Sequence, residues 1–113
     1  MKFDGIEVAP WIVPRLRFAR ENGFWTGKVN SGIRSHAEQT ALYSEWKAGH
    51  RAGPVAVPGT SNHEKRVFPG GAVDITDPAG MVSAMAKWKA LGKPNPLVWF
   101  GSGDQVHFSA SGH

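Results

Sequence analysis

Residues 60–76 read TSNHEKRVFPGGAVDIT, and the last six of them decide the fold. GAVDIT alternates as a strand: Val73 and Ile75 point to one face, Ala72, Asp74 and Thr76 to the other. An aspartate in an otherwise apolar strand needs a reason, because ionised carboxylates are rarely buried unless paired or bound to a metal. A histidine, His63, stands eleven positions earlier in a Ser/Asn turn.

Downstream of the strand, Asp77-Pro78 caps a helix over about 78–91, with Met81, Ala84, Met85, Trp88 and Leu91 on one face and Gly92 as its stop. LVWF (97–100) and QVHFS (105–109), joined by the tight GSGD loop, read as an antiparallel hairpin. In its second strand Val106 and Phe108 share one face, and Gln105, His107 and Ser109 the other.

Upstream, 50–62 holds two prolines and two glycines and reads as a long irregular loop, a feature often tied to function. Before it, Ser35 and Glu38 form a capping box, S-x-x-E, opening a helix that Gly49 ends. Its apolar stripe is Ala37, Ala41, Leu42 and Trp46. KVNSG (28–32) reads as a short strand, 11–22 as a first helix with Pro10 and Pro14 at its start, and 1–9 as extended. The expected architecture is α+β: one domain over 1–113, with a small antiparallel sheet packed against about three helices.

Composition narrows the chemistry. The 113 residues suit a single core and include no cysteine. Disulfides, thiolate zinc sites and cysteine nucleophiles are therefore excluded, and a metal site must draw on His, Asp or Glu. The net charge of +4 suits an acidic partner such as an anionic cell wall or nucleic acid. The basic residues are scattered, without the basic stripe and interleaved aromatics of a nucleic-acid binder. The opening MKFDGIEVAPWIV is interrupted by an acid and too short in its apolar stretch for a signal peptide, and no segment nears the ~20 apolar residues that span a bilayer. The sequence-level expectation is a product made in the cytoplasm, with no membrane and no nucleic-acid partner.

Strand parity sets up a constellation. If the strands of Asp74 and His107 are neighbours, both polar side chains project from one sheet face, with His63 arriving from the loop before. Two His and one Asp from three separate places leave a fourth tetrahedral position open, the arrangement of a catalytic zinc. Asp104, three residues before His107, opens that strand. The other histidines have plainer readings: His36 as a solvated residue of a helix first turn, His50 and His113 as exposed. Trp46 and Trp88 read as core or half-buried anchors.

Four stretches in order, SGIRSHAEQTALYSEW, VPGTSNHE, GGAVDI and DQVHFS, resemble the zinc D-Ala-D-Ala carboxypeptidase and L-alanyl-D-glutamate endopeptidase family. This is the Hedgehog/DD-peptidase fold of VanY-like enzymes and many phage endolysins. The family pattern is S-G-[YF]-R-S with a following Gln, then S-x-H-x-x-G-x-A-x-D, then [ED]-x-x-H. The resemblance implies one zinc ion on His63, Asp74 and His107, with Asp104 as catalytic carboxylate and Arg34 facing the substrate. It places Ser61 and Gln39 at the substrate site as well. It implies hydrolysis of amide bonds in peptidoglycan stem peptides, by a monomer that reaches the wall after holin-type release. A non-catalytic wall- or peptide-binding module of the same fold is the alternative.

The chain departs from the pattern in three places. Ten residues separate His63 from Asp74 where the family has six, Ile33 replaces an aromatic before Arg34, and Val106 stands where Trp is common. The extra residues fall in a loop, and loop closure entropy grows only with the logarithm of length.

Overall fold

The computed structural model describes residues 1–51, 55–101 and 106–112. It opens with a two-stranded hairpin, β1 (Lys2–Phe3) and β2 (Ile6–Glu7). Asp4 and Gly5 both have positive φ, 53° and 77°, the backbone of a two-residue turn whose twist matches its strands. Helix α1 (Val13–Glu21) takes Pro14 in its first turn, where the missing N–H costs no intrahelical bond. After it come β3 (Val29–Ser31), α2 (His36–Lys47), a 3-10 turn at Asn62–Glu64, β4 (Ala72–Ile75), α3 (Pro78–Ala90), β5 (Val98–Trp99) and β6 (His107–Ser109).

Strands β3 to β6 form one antiparallel sheet in the order β3-β4-β6-β5. The α+β class expected from the sequence is the class observed. The expected hairpin is there as β5 and β6, and β4 and β6 are neighbours, with Val73 opposite Phe108 and Asp74 opposite His107.

Parity then separates two faces. Val73, Ile75 and Phe108 are fully buried in a core cluster with Val13, Leu16 and Ala19 of α1 and Met81, Ala84, Met85 and Trp88 of α3. Burying one such side chain is worth roughly 1.5–3 kcal/mol, so this face holds the sheet to two helices. A buried arginine ties α1 to the segment after α3. The Arg15 guanidinium lies between the rings of Trp11 and Trp88, and it donates to the carbonyls of Trp11, of Asn95 at 2.8 Å and of Pro94 at 3.0 Å. Asp77, in the left-handed region at φ 55°, caps α3 by accepting from the Gly80 N–H.

One expectation about the helices needs correction. The Ser35–Glu38 capping box is present, but the stripe of Ala37, Ala41, Leu42 and Trp46 does not enter the core. The one residue α2 buries is polar, Gln39. Leu42 and Trp46 are half-buried, and Ala37 and Ala41 are exposed. Leu91, expected on the buried face of α3, is 53% exposed, because it forms the C-cap where the chain leaves the helix axis. Among the described residues, no helix is long and apolar enough to cross a membrane.

Candidate metal centre

The sheet face turned away from the core carries the centre. Asp74 on β4 and His107 on β6 are cross-strand partners, so their side chains leave the same face side by side. His63 is brought to them by the 3-10 turn, which the sequence reading leaves within a loop. Ser61 starts that turn, its Oγ accepting the His63 N–H at 3.2 Å. The same turn is pinned from β3's end at two points: Arg34 N–H donates to the His63 carbonyl at 2.7 Å, and the His63 ring bonds the Gly32 carbonyl at 2.7 Å. Gly32 itself must lack a side chain, since a Cβ there would lie 2.1 Å from the Glu7 carbonyl oxygen.

The other side of the turn meets the start of β4. Gly71 N–H donates to the Asn62 carbonyl at 3.1 Å, and Gly71 sits at φ 99°, a conformation that L side chains rarely adopt. The intervening residues 65–69 lie exposed, with Val67 at 78%. The long spacing between His63 and Asp74 is thus expelled to the surface, and the two side chains still meet.

They meet closely. His63 Nε2 lies 3.2 Å from His107 Nδ1, and Asp74 Oδ1 lies 3.3 Å from each of these nitrogens. Among the described residues this is the group of His, Asp and Glu side chains placed to hold a metal ion. Donors at about 2.0–2.1 Å from a tetrahedral zinc stand about 3.3–3.4 Å apart, so the triangle has the edge lengths of three zinc ligands.

Protonation points the same way. A carbonyl can only accept, so the bond to Gly32 places the proton of neutral His63 on Nδ1 and leaves the Nε2 lone pair facing the other two donors. Asp74 Oδ1 is buried and has no aligned hydrogen bond. Burial raises the pKa of Asp74, yet the His107 and His63 rings more than offset it and hold the carboxyl well below its usual range. Two ring nitrogens and an ionised carboxylate oxygen therefore converge on one point, where a cation in place of ring protons would satisfy all three. A divalent ion bound by nitrogen and oxygen donors fits these residues.

The surrounding residues are committed to this triangle. Arg34 Nη2 donates to Asp74 Oδ2 at 3.0 Å, and its Nη1 donates to Gln39 Oε1 at 3.3 Å. Gln39, 1% exposed, passes the chain on by donating from Nε2 to the Ala56 carbonyl at 2.9 Å. Ser61 is buried at the cap of the His63 turn. Of the residues assigned from sequence, Arg34, Ser61, Gln39, His63, Asp74 and His107 are thus brought into one network. Asp104 lies outside the described residues, as do Gln105 and His113. His36 is exposed as expected and bonds Glu64 at 2.9 Å, while Glu64 also accepts the Gly59 N–H at 2.6 Å.

Two features escaped the sequence reading. The Phe100 ring stands edge-on to His107, with centroids 6.0 Å apart, so an aromatic flanks the centre. His107 Nε2 and Ser109 Oγ, both buried, have no hydrogen-bond partner among the described residues. Strand parity places Ser109 on the face of His107, which was the available signal. Beyond the centre, an open groove of about 490 Å³ lies between the β1–β2 hairpin and α2, with Ile6, Glu7, Arg34, Glu38 and Leu42 in its walls.

No known protein family, characterised protein or solved structure matches the chain.

Proposed function

We propose that the chain is a zinc-dependent peptidase that hydrolyses amide bonds in peptidoglycan stem peptides, of the L-Ala-D-Glu endopeptidase or D,D-carboxypeptidase type found in phage endolysins. The observation that carries this reading is the buried, hydrogen-bond-free Asp74 Oδ1 at 3.3 Å from two imidazole nitrogens. The ordered motifs that resemble the zinc D-Ala-D-Ala carboxypeptidase family support the reaction class, and the charge of +4 suits an anionic wall.

His63, Asp74 and His107 would hold a zinc ion, which would supply Lewis acidity to the scissile carbonyl and to a nucleophilic water near neutral pH. Asp104 takes the proton of the attacking water and hands it to the leaving amine as the C–N bond breaks. Arg34 lends its positive charge to the developing oxyanion from beside Asp74. Arg34 also borders the open groove between the hairpin and α2, which has room for part of an extended peptide.

The test is clearance of purified cell walls with and without EDTA, followed by mass analysis of the released ends. Clearance that EDTA abolishes and zinc restores is expected, with new termini naming the bond. Asp104→Asn should hold zinc and lose turnover. A wild-type chain that binds zinc and walls but releases no ends would overturn the enzyme reading in favour of a binding module.

A further inference from the structure

Helix α2 attaches to the molecule in an unusual way. Its only buried side chain is an amide, and an amide in the interior is retained only when its donors and acceptor are used. Gln39 uses both ends. Its Nε2 donates to the Ala56 carbonyl at 2.9 Å, and its Oε1 accepts Arg34 Nη1 at 3.3 Å. The other arm of the same guanidinium, Nη2, donates to Asp74 Oδ2 at 3.0 Å.

We infer that Gln39 is a positioning residue for the metal centre: it fixes the Arg34 guanidinium so that Arg34 holds one oxygen of Asp74 and leaves the other free for the cation. The inference rests on the reading of His63, Asp74 and His107 as metal ligands. It moves Gln39 away from the substrate site, where the family resemblance places it.

The physical reason lies in two torsions. The guanidinium is planar, so its donors stand in a fixed fork, and holding Nη1 fixes the direction of Nη2. The carboxylate torsion of aspartate is broad and roughly two-fold, so an unheld Asp74 exchanges its oxygens or turns both toward a cation. With Oδ2 engaged, only Oδ1 points into the triangle. Arg34 is suited to the task because its own backbone N–H bonds the His63 carbonyl, linking one ligand's main chain to another ligand's side chain. Gln39 is itself held in place by its bond to the Ala56 carbonyl. All these bonds run within the protein.

The test is zinc affinity, by competition with a chromophoric chelator, for the wild type, Gln39→Leu, Arg34→Met, the double variant and Gln39→Glu. Outer partners of metal ligands typically matter by about 10–100-fold in affinity, and Gln39→Leu should lose about tenfold or more. Arg34→Met should lose at least as much. The double variant should bind as Arg34→Met does, because Gln39 acts only through Arg34. Gln39→Glu keeps the acceptor for Nη1 and loses the donor to Ala56, so it should bind zinc more tightly than Gln39→Leu, a partial rescue that a mere packing role would not give. The cobalt(II) absorption bands of Gln39→Leu should shift from those of the wild type.

Zinc binding by Gln39→Leu within about twofold of the wild type would overturn the inference and leave the peptidase reading standing. Losses that multiply in the double variant would also overturn it. A wild type that holds no zinc would overturn both. Should Gln39→Leu fail to fold, Arg34→Met decides alone: zinc binding within about twofold of the wild type, against the about 10–100-fold of a lost outer partner, refutes the positioning role.

Discussion

Zinc should stabilise the folded chain by a margin that the geometry sets. The three donor atoms already stand 3.2–3.3 Å apart, so an entering ion finds its ligands placed and little reorganisation opposes binding. The unfolded chain has no such triangle, and binding free energy therefore becomes folding free energy. At free zinc a hundredfold above the dissociation constant, the linkage amounts to about 2.7 kcal/mol. For a chain of this length each kcal/mol moves the thermal midpoint by roughly 3–6 °C, so saturation should raise it by roughly 8–16 °C. The assay is thermal unfolding followed by circular dichroism, in EDTA and across a zinc titration. His63→Ala and His107→Ala should each lose most of the shift, since two ligands do not fix a structural site. A wild type whose midpoint ignores zinc, or variants that shift as far as the wild type, would refute the reasoning.

Two further outcomes follow from single contacts. Ser61→Ala removes the cap of the His63 turn and should cost about 1 kcal/mol in urea unfolding, with a fall in zinc affinity measured alongside. An unchanged stability would mean that the Gly32 and Arg34 contacts hold the turn without it. Asp4 accepts both arms of Arg20, at 2.7 and 2.8 Å, and the hydrogen bonds from Arg20 lower its pKa below the ordinary 3.8. A depressed carboxyl contributes stability that is present above the unfolded value and lost as pH falls through the folded one. The stability difference between the wild type and Asp4→Asn should therefore be full near neutrality and close below about pH 4; a difference constant with pH would refute the assignment.

The legible parts of the fold are those where local chemistry and tertiary packing agree. The capping box at Ser35, the Asp77-Pro78 start of α3 and the parity of GAVDIT all act over a few residues, and each appears where the pattern puts it. The pairing of β4 with β6 was conditional in the sequence, because parity fixes which side chains share a face but not which strands touch. The apolar stripe of α2 is a related case. Helical spacing shows which residues line up, and it says nothing of whether the core has room for them. Gln39 shows the reverse case: a polar residue with no apolar signal became the helix's buried anchor.

The centre divides along the same line. Strand parity and the family resemblance nominated His63, Asp74 and His107, and the resemblance alone nominated Arg34, Gln39 and Ser61. The bonds that tie the centre together across the chain were invisible, since they join distant segments: Gln39 with Ala56, Arg34 with Asp74, the His63 ring with Gly32.

By itself the sequence determined the elements, the absence of thiol chemistry and the donor types available to a cation. The donors' spacing came only with the tertiary structure, and so did the choice of Asp74 Oδ1 over Oδ2 as the free oxygen. The reason is one of range: propensity, capping and alternation act between residues a few positions apart, whereas a metal-sized triangle needs sub-ångström placement of three side chains, which only the packed sheet and the bonds from Gly32 and Arg34 supply.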